Sequence, residues 1–247
     1  MKILFSPSET KNSGGDKKIF DENSFIFPEL FKKRVEIVNS YNEFLKTASI
    51  SQLEKLFGTK KADVIEKYRT DIFKSPLLKA ILRYEGVAYD YLDYVNLEKS
   101  SQKYIDDNVL IFSNLFGVLK ASDEIPDYKL KQGESFYDLK IEKFYNDNFS
   151  QELDKYLEND DILDLRAGFY EKFYTIKKPY KTLKFIKDGK VVSHFAKAYR
   201  GEILKIVAQN DIKTFDDFMN LELKELKLEE IKEQKLKTEI VYSINKR

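Results

Sequence analysis

The chain has 247 residues, with 43 Lys and Arg against 42 Asp and Glu, a formal net charge of +1. It has no Cys and a single His, His194, which excludes disulfides, thiolate catalysis, Cys-ligated centres and a multi-His metal site. No apolar run reaches the roughly 18 residues of a membrane span, and the opening Met1–Pro7 is too short in apolar character for a signal peptide. A cytoplasmic protein without membrane contact, metal or cofactor is the expectation.

Lys2–Phe5 reads as a short buried strand, closed by Ser6-Pro7. A loop follows through Asn12-Ser13-Gly14-Gly15. Pro28 suits the first turn of a helix, and Leu30, Phe31, Val35, Val38, Tyr41 and Leu45 continue it at helical spacing. Ser51-Gln52-Leu53-Glu54 reads as a capping box opening a second helix, which Gly58 can end. Thr59 can cap a third helix, through Ala62, Ile65 and Tyr68. Ser75-Pro76 opens a fourth, which Gly86 can terminate.

Val109–Phe112 is β-compatible. Leu139–Leu157 is an amphipathic helix, and Ile162–Leu165 a second buried strand. Asp188-Gly189 between Thr182–Ile186 and Val191–Phe195 predicts a hairpin with a type I′ turn. Ala196–Gln209 then reads as a helix, and Leu223–Ile231 and Thr238–Ile244 as final strands. The fold class is α/β (or α+β): one domain over 1–247, with a mixed sheet and a helical subregion at about 28–85.

The near-neutral total hides two blocks. Between Arg166 and Lys205, nine Lys and two Arg face three acids; between Glu98 and Leu165, 16 acids face eight Lys. Such blocks either neutralise one another across the fold or mark an anion site. There are six Arg: Arg34, Arg69, Arg83, Arg166, Arg200 and Arg247. A held Arg is a better fork for an anion than a random Lys.

Four segments carry chemistry. Leu53, Leu56, Gly58, Ala62 and Ile65 resemble a helix-hairpin-helix element, with Lys60 and Lys61 beside the turn. The usual Gly-x-Gly is incomplete there, and a plain αα-corner gives the same pattern. Ser6-Pro-Ser-Glu-Thr-Lys11 follows the first strand and offers the Glu9 carboxylate and the Lys11 ammonium. His194-Phe-Ala-Lys-Ala-Tyr-Arg-Gly201 places Lys197 and Arg200 on one face near a helix start, where the dipole disfavours cations and an anionic partner would relieve them. His194 itself reads first as a strand residue. Asn114–Gly133 is loop-rich, with Lys120, Asp123, Tyr128 and Lys129.

Together these segments resemble the YaaA family of bacterial peroxide-stress resistance proteins. The resemblance rests on the opening strand with Ser-Pro, Gly86-Val-Ala-Tyr89, Leu115-Phe-Gly-Val-Leu-Lys120, Tyr128-Lys-Leu-Lys-Gln-Gly133, Asp164–Lys172, and most closely on Phe195-Ala-Lys-Ala-Tyr-Arg-Gly201. Glu9 stands where many members have Lys, although Pro7–Lys11 fits the Pro-Ser-Glu-x-Lys of others. Lys129 stands in place of the Arg of Tyr-Arg-Leu.

The resemblance implies a single-domain α/β fold with a positively charged cleft and a helix-hairpin-helix. It also implies DNA binding and a part in limiting iron-linked peroxide damage, with no established catalytic activity. On the DNA reading, Gly58, Lys60, Lys61, Lys197 and Arg200 meet mostly the DNA backbone, with little sequence specificity. On the alternative, the protein is an enzyme acting on a small phosphorylated or carboxylated metabolite. Glu9 would then be acid/base, Lys11, Lys120, Lys129 and Arg200 an anion cradle, and Tyr89 or Tyr128 a hydroxyl donor. Convergence in one pocket favours the metabolite; dispersal along a groove favours DNA.

Overall fold

The computed structural model describes residues 1–16 and 20–244, without the side chains of Val191, Ser193 and His194. In chain order, β1 (Lys2–Phe5) and β2 (Thr10–Lys11) lead into α1 (Phe31–Thr47), α2 (Ile50–Phe57) and α3 (Ala62–Tyr68). Next come β3 (Leu77–Lys79), the one-turn α4 (Ala80–Arg83), β4 (Tyr84–Glu85), α5 (Val87–Leu92) and α6 (Lys99–Asn108). β5 (Val109–Ser113), β6 (Gly117–Lys120) and β7 (Glu124–Pro126) precede α7 (Ile141–Tyr156). The last part holds β8 (Ile162–Asp164), β9 (Tyr180–Lys187), β10 (Lys190–Val191), α8 (Ser193–Gln209), α9 (Phe215–Met219), β11 (Leu226–Glu233) and β12 (Lys237–Ile244).

The apolar runs Ile3–Phe5, Val109–Phe112 and Ile162–Leu163 are fully buried, as central parallel strands require. The main sheet has the order β11-β12-β9-β8-β1-β5-β6, with β10 paired to β9. β12, β9, β8, β1 and β5 run parallel, while β11 and β6 add antiparallel edges. Ile3 pairs with Val109 on one side and Leu163 on the other. The chain leaves β1 toward β5 and later returns on its other side with β8. The order therefore reverses around β1, and the carboxyl ends of β1 and β8 frame a crevice. In open α/β sheets that is where ligands bind. This is the mixed-sheet α/β domain the sequence predicts.

Several local expectations shift. The capping box belongs to Ser49 and Gln52: Ser49 Oγ accepts from Gln52 N at 3.3 Å, and Gln52 Oε1 from Ser49 N at 2.8 Å. Helix α2 starts two residues earlier than Ser51-Glu54 implies because Ile50 already takes helical geometry. Ser75-Pro76 opens a strand, since Leu77–Lys79 pairs with Glu124–Pro126. Part of the loop expected between Asn114 and Gly133 is likewise β6 and β7. Gly86 leads into a helix rather than ending one. Asp188 and Gly189 both have positive φ, as a type I′ turn demands. The second hairpin strand is shorter than expected, because α8 begins at Ser193. His194 therefore lies in a helical turn and not in a strand; its side chain is outside the described residues.

Candidate anion-binding cleft

The largest consequence of that early helix start concerns Lys197 and Arg200. They lie in the second and third turns of α8, beyond the reach of the N-terminal dipole. Dipole repulsion therefore does not explain them. Their position does: both line a cleft of about 380 Å³ at the carboxyl ends of β1 and β8. Its walls are Phe5–Thr10, Gly86–Tyr89, Gln132, Leu165, Ala167 and Tyr170. Phe5 and Leu165 are the residues ending or following the two strands, so the sheet itself forms the floor.

Helix α8 reaches this cleft by packing closely on α5. A methyl group on Gly201 would stand 1.9 Å from the Ala88 carbonyl oxygen. Gly is needed there for close approach, and residue 197 lies one turn earlier on the same face. The Lys-x-x-Arg-Gly run thus combines a packing residue with two cations that the packing aims at the cleft.

The wall Ser6–Lys11 is fastened from several directions. Ser6 Oγ accepts from Ala167 N at 2.8 Å, and the Tyr89 hydroxyl donates to Ser6 O at 2.9 Å. Glu9 Oε1 accepts from Gln132 N at 3.0 Å. Lys11 turns away from the cleft. Its ammonium donates to Ser8 O at 3.2 Å and Glu9 O at 3.4 Å, and sits 4.1 Å from the Tyr128 ring centre. Burial pushes its pKa down to about 7; Asp127 and Glu9 oppose this, while Lys129 and Arg83 add to it. Lys11 serves the loop backbone, not the cleft surface.

Tyr128 is also behind the wall. Its hydroxyl meets Ser113 Oγ at 2.8 Å and the Tyr84 hydroxyl at 3.0 Å, and burial pushes its pKa up to about 12. The hydroxyls of Tyr128 and Tyr89 are both engaged inside the protein, that of Tyr89 on Ser6 O. Lys129 is set over the Tyr68 ring at 5.9 Å. Lys120 is at the far end of the sheet, beside Lys2 and Asp107, where β1 begins. The structure thus gathers Glu9, Lys197 and Arg200 in the cleft and leaves Lys120 and Lys129 outside it.

The other arginines explain why Arg200 stands out. Arg34 donates to the carbonyls of Phe116 and Ile26, and Arg69 to those of Leu45 and Lys46. Arg83 holds Asn12 O, Gly14 O, Pro76 O and Ile125 O. Arg166 forms a buried fork on Asp164, at 2.9 and 2.8 Å, and also donates to Tyr170 O and Tyr174 O. Arg247 lies outside the described residues. Among the described residues, Arg200 is the arginine with no internal hydrogen-bond partner. Burial lowers its pKa, against the pull of Asp164 and Glu171.

Residues 1–232 match the family model described as peroxide stress protein YaaA. The chain belongs to the YaaA family. It is 53% identical to an uncharacterized protein of Campylobacter jejuni, over 99% of each chain. It is 31% identical to a UPF0246 protein of Corynebacterium glutamicum, over 90% of this chain and 91% of the relative. A UPF0246 protein of Fusobacterium nucleatum is 28% identical over similar shares.

In this YaaA-family chain the two charge blocks meet, among the described residues, at Arg166 with Asp164 and Lys177 with Asp154, while other lysines of the basic block pair with acids outside the acidic one. Lys177 pairs with Asp154 at 2.7 Å, Lys184 with Glu239 at 3.6 Å and Lys205 with Asp93 at 3.4 Å. Lys178 caps carbonyls after α7, at Leu157, Glu158 and Asp160. Lys60 and Lys61 are exposed at the α2–α3 corner. There Gly58 takes φ 65° as the end of α2, and Lys61 N donates to Thr59 Oγ1 at 3.2 Å. No helix of the described residues is long and apolar enough to cross a membrane.

Sequence reasoning missed Gln132, Leu165 and Tyr170 as cleft residues. Gln132 acts through its backbone N–H, which no side-chain pattern reveals. Leu165 and Tyr170 fall inside the Asp164–Lys172 stretch and were legible as a segment, not as a wall.

Proposed function

We propose that this YaaA-family protein serves the peroxide-stress response by binding a small carboxylated or phosphorylated molecule in the β1–β8 cleft. The observation that carries this reading is Arg200 without an internal hydrogen-bond partner among the described residues, held with Lys197 in a concave site of small-molecule size. Guanidinium and ammonium together match a carboxylate or a phosphate. Glu9 is the acid/base candidate, since its carboxylate shares the cleft with both cations. Of the anion cradle Lys11, Lys120, Lys129 and Arg200 expected for the metabolite reading, Arg200 alone lines the cleft; Lys197 joins it there, and Lys11 holds the wall behind them. Calorimetric titration with inorganic phosphate and with simple carboxylates tests this. Binding that weakens roughly tenfold or more in Lys197→Ala/Arg200→Ala supports it. Equal binding by the double variant contradicts it.

DNA binding is the second reading, favoured by the exposed pair Lys60 and Lys61 at the α2–α3 corner. Against it, Glu9 in the cleft wall repels a phosphate backbone, and Arg166, Lys177, Lys184 and Lys205 of the basic block are engaged in ion pairs. Duplex binding that falls steeply with salt, and that Lys60→Glu/Lys61→Glu abolishes, would favour this reading.

A further inference from the structure

Glu9 and the two cations line the same cleft, yet no ion pair joins them among the described residues. Opposite charges on flexible side chains in one crevice usually collapse onto each other. Here they are held apart. Glu9 is tied by one oxygen to Gln132 N at 3.0 Å, a bond between two lining residues. Its loop is fixed by Lys11 on the carbonyls of Ser8 and Glu9, and by Tyr89 and Ala167 on Ser6. The cations are fixed from the other side by the contact of Gly201 with Ala88. Among the described residues no hydrogen bond or ion pair engages the second oxygen of Glu9, the Lys197 ammonium or the Arg200 guanidinium, although Asp164 and Glu171 lie near enough to Arg200 to act on its charge. The same lining carries apolar surface from Phe5, Val87, Leu165 and the ring of Tyr170.

We propose that the ligand is a zwitterion of amino-acid type with an apolar side chain. Its carboxylate rests on Arg200 and Lys197, its ammonium on Glu9, and its side chain against the apolar wall. This rests on the anion reading above and adds the cationic pole. A carboxylate at Glu9 disfavours a purely anionic ligand, because a second negative charge would share the cleft with it. A ligand ammonium relieves that repulsion and satisfies the free oxygen.

The test is a matched panel titrated calorimetrically into the full-length protein: leucine, methionine and phenylalanine, each with its des-amino acid and its des-carboxy amine. The expected result is that at least one amino acid binds roughly tenfold or more tightly than both of its single-charge analogues. In Glu9→Gln that amino acid should lose about tenfold while its des-amino acid is unchanged or improved. Des-amino acids binding as tightly as amino acids, with no effect of Glu9→Gln, would overturn the zwitterion and leave the anion reading standing. No binding by any member, or by inorganic phosphate, would overturn both.

Discussion

Gly201 on α8 lies so close to Ala88 on α5 that a Cβ added there would stand 1.9 Å from the Ala88 carbonyl oxygen and 3.1 Å from Leu92 N. This contact sets how far α8 advances over the cleft. It turns a packing residue into one that places Lys197 and Arg200.

Gly201→Ala is therefore expected to push α8 off α5. Overpacking of this kind costs about 1–3 kcal/mol, read as a shift in the urea midpoint at constant slope. The same variant should weaken anion binding although both cations remain. Unchanged binding would show that the helix contact does not position them.

Lys11 carries a pH signature. Its folded-state pKa of about 7 lies below the 10.5 of an ordinary lysine. Between those values the unfolded chain holds a proton that the folded chain has released. Stability from this group therefore rises with pH through that window, and is least favourable below about pH 7. The wild type should gain on Lys11→Met by roughly 1.4 kcal/mol per pH unit between about pH 8 and 10. Parallel stability curves for the two proteins would contradict the neutral amine.

Arg34 is a purely structural case. It is fully buried, 4.7 Å from the Phe149 ring centre and 5.0 Å from that of Phe25, and donates to Phe116 O and Ile26 O. Arg34→Ala strips two buried carbonyls of their donor and opens a cavity. A loss on the order of 3 kcal/mol is expected in chemical denaturation. Its anion binding at temperatures where it is folded should match the wild type.

Much of this was legible in the chain. Apolar runs at Ile3–Phe5 and Val109–Phe112 announce buried parallel strands, and Asp188-Gly189 announces the turn between β9 and β10. Arg200 stands out by type in a chain with six Arg, and Glu9 and Lys197 by the motifs that hold them. Less legible was where helix α8 begins, because Val191–Phe195 reads equally well as a strand. The register of α8 decides whether its cations face a dipole or a cleft. Lys11 and Tyr128 look functional by residue type, yet tertiary packing buries both behind the wall. Lys120 lies on an edge strand whose direction carries it to the opposite end of the sheet. Sequence spacing gives no account of strand order, and strand order decides which loops meet.

The small-ligand reading and the DNA reading separate most directly in survival of hydrogen peroxide by a bacterial strain lacking its own YaaA protein and supplied with variants of this one. The cleft account predicts that Lys197→Ala/Arg200→Ala loses protection at wild-type protein levels, while Lys60→Ala/Lys61→Ala keeps it. Full protection by the cleft variant, with loss in the corner variant, would contradict it.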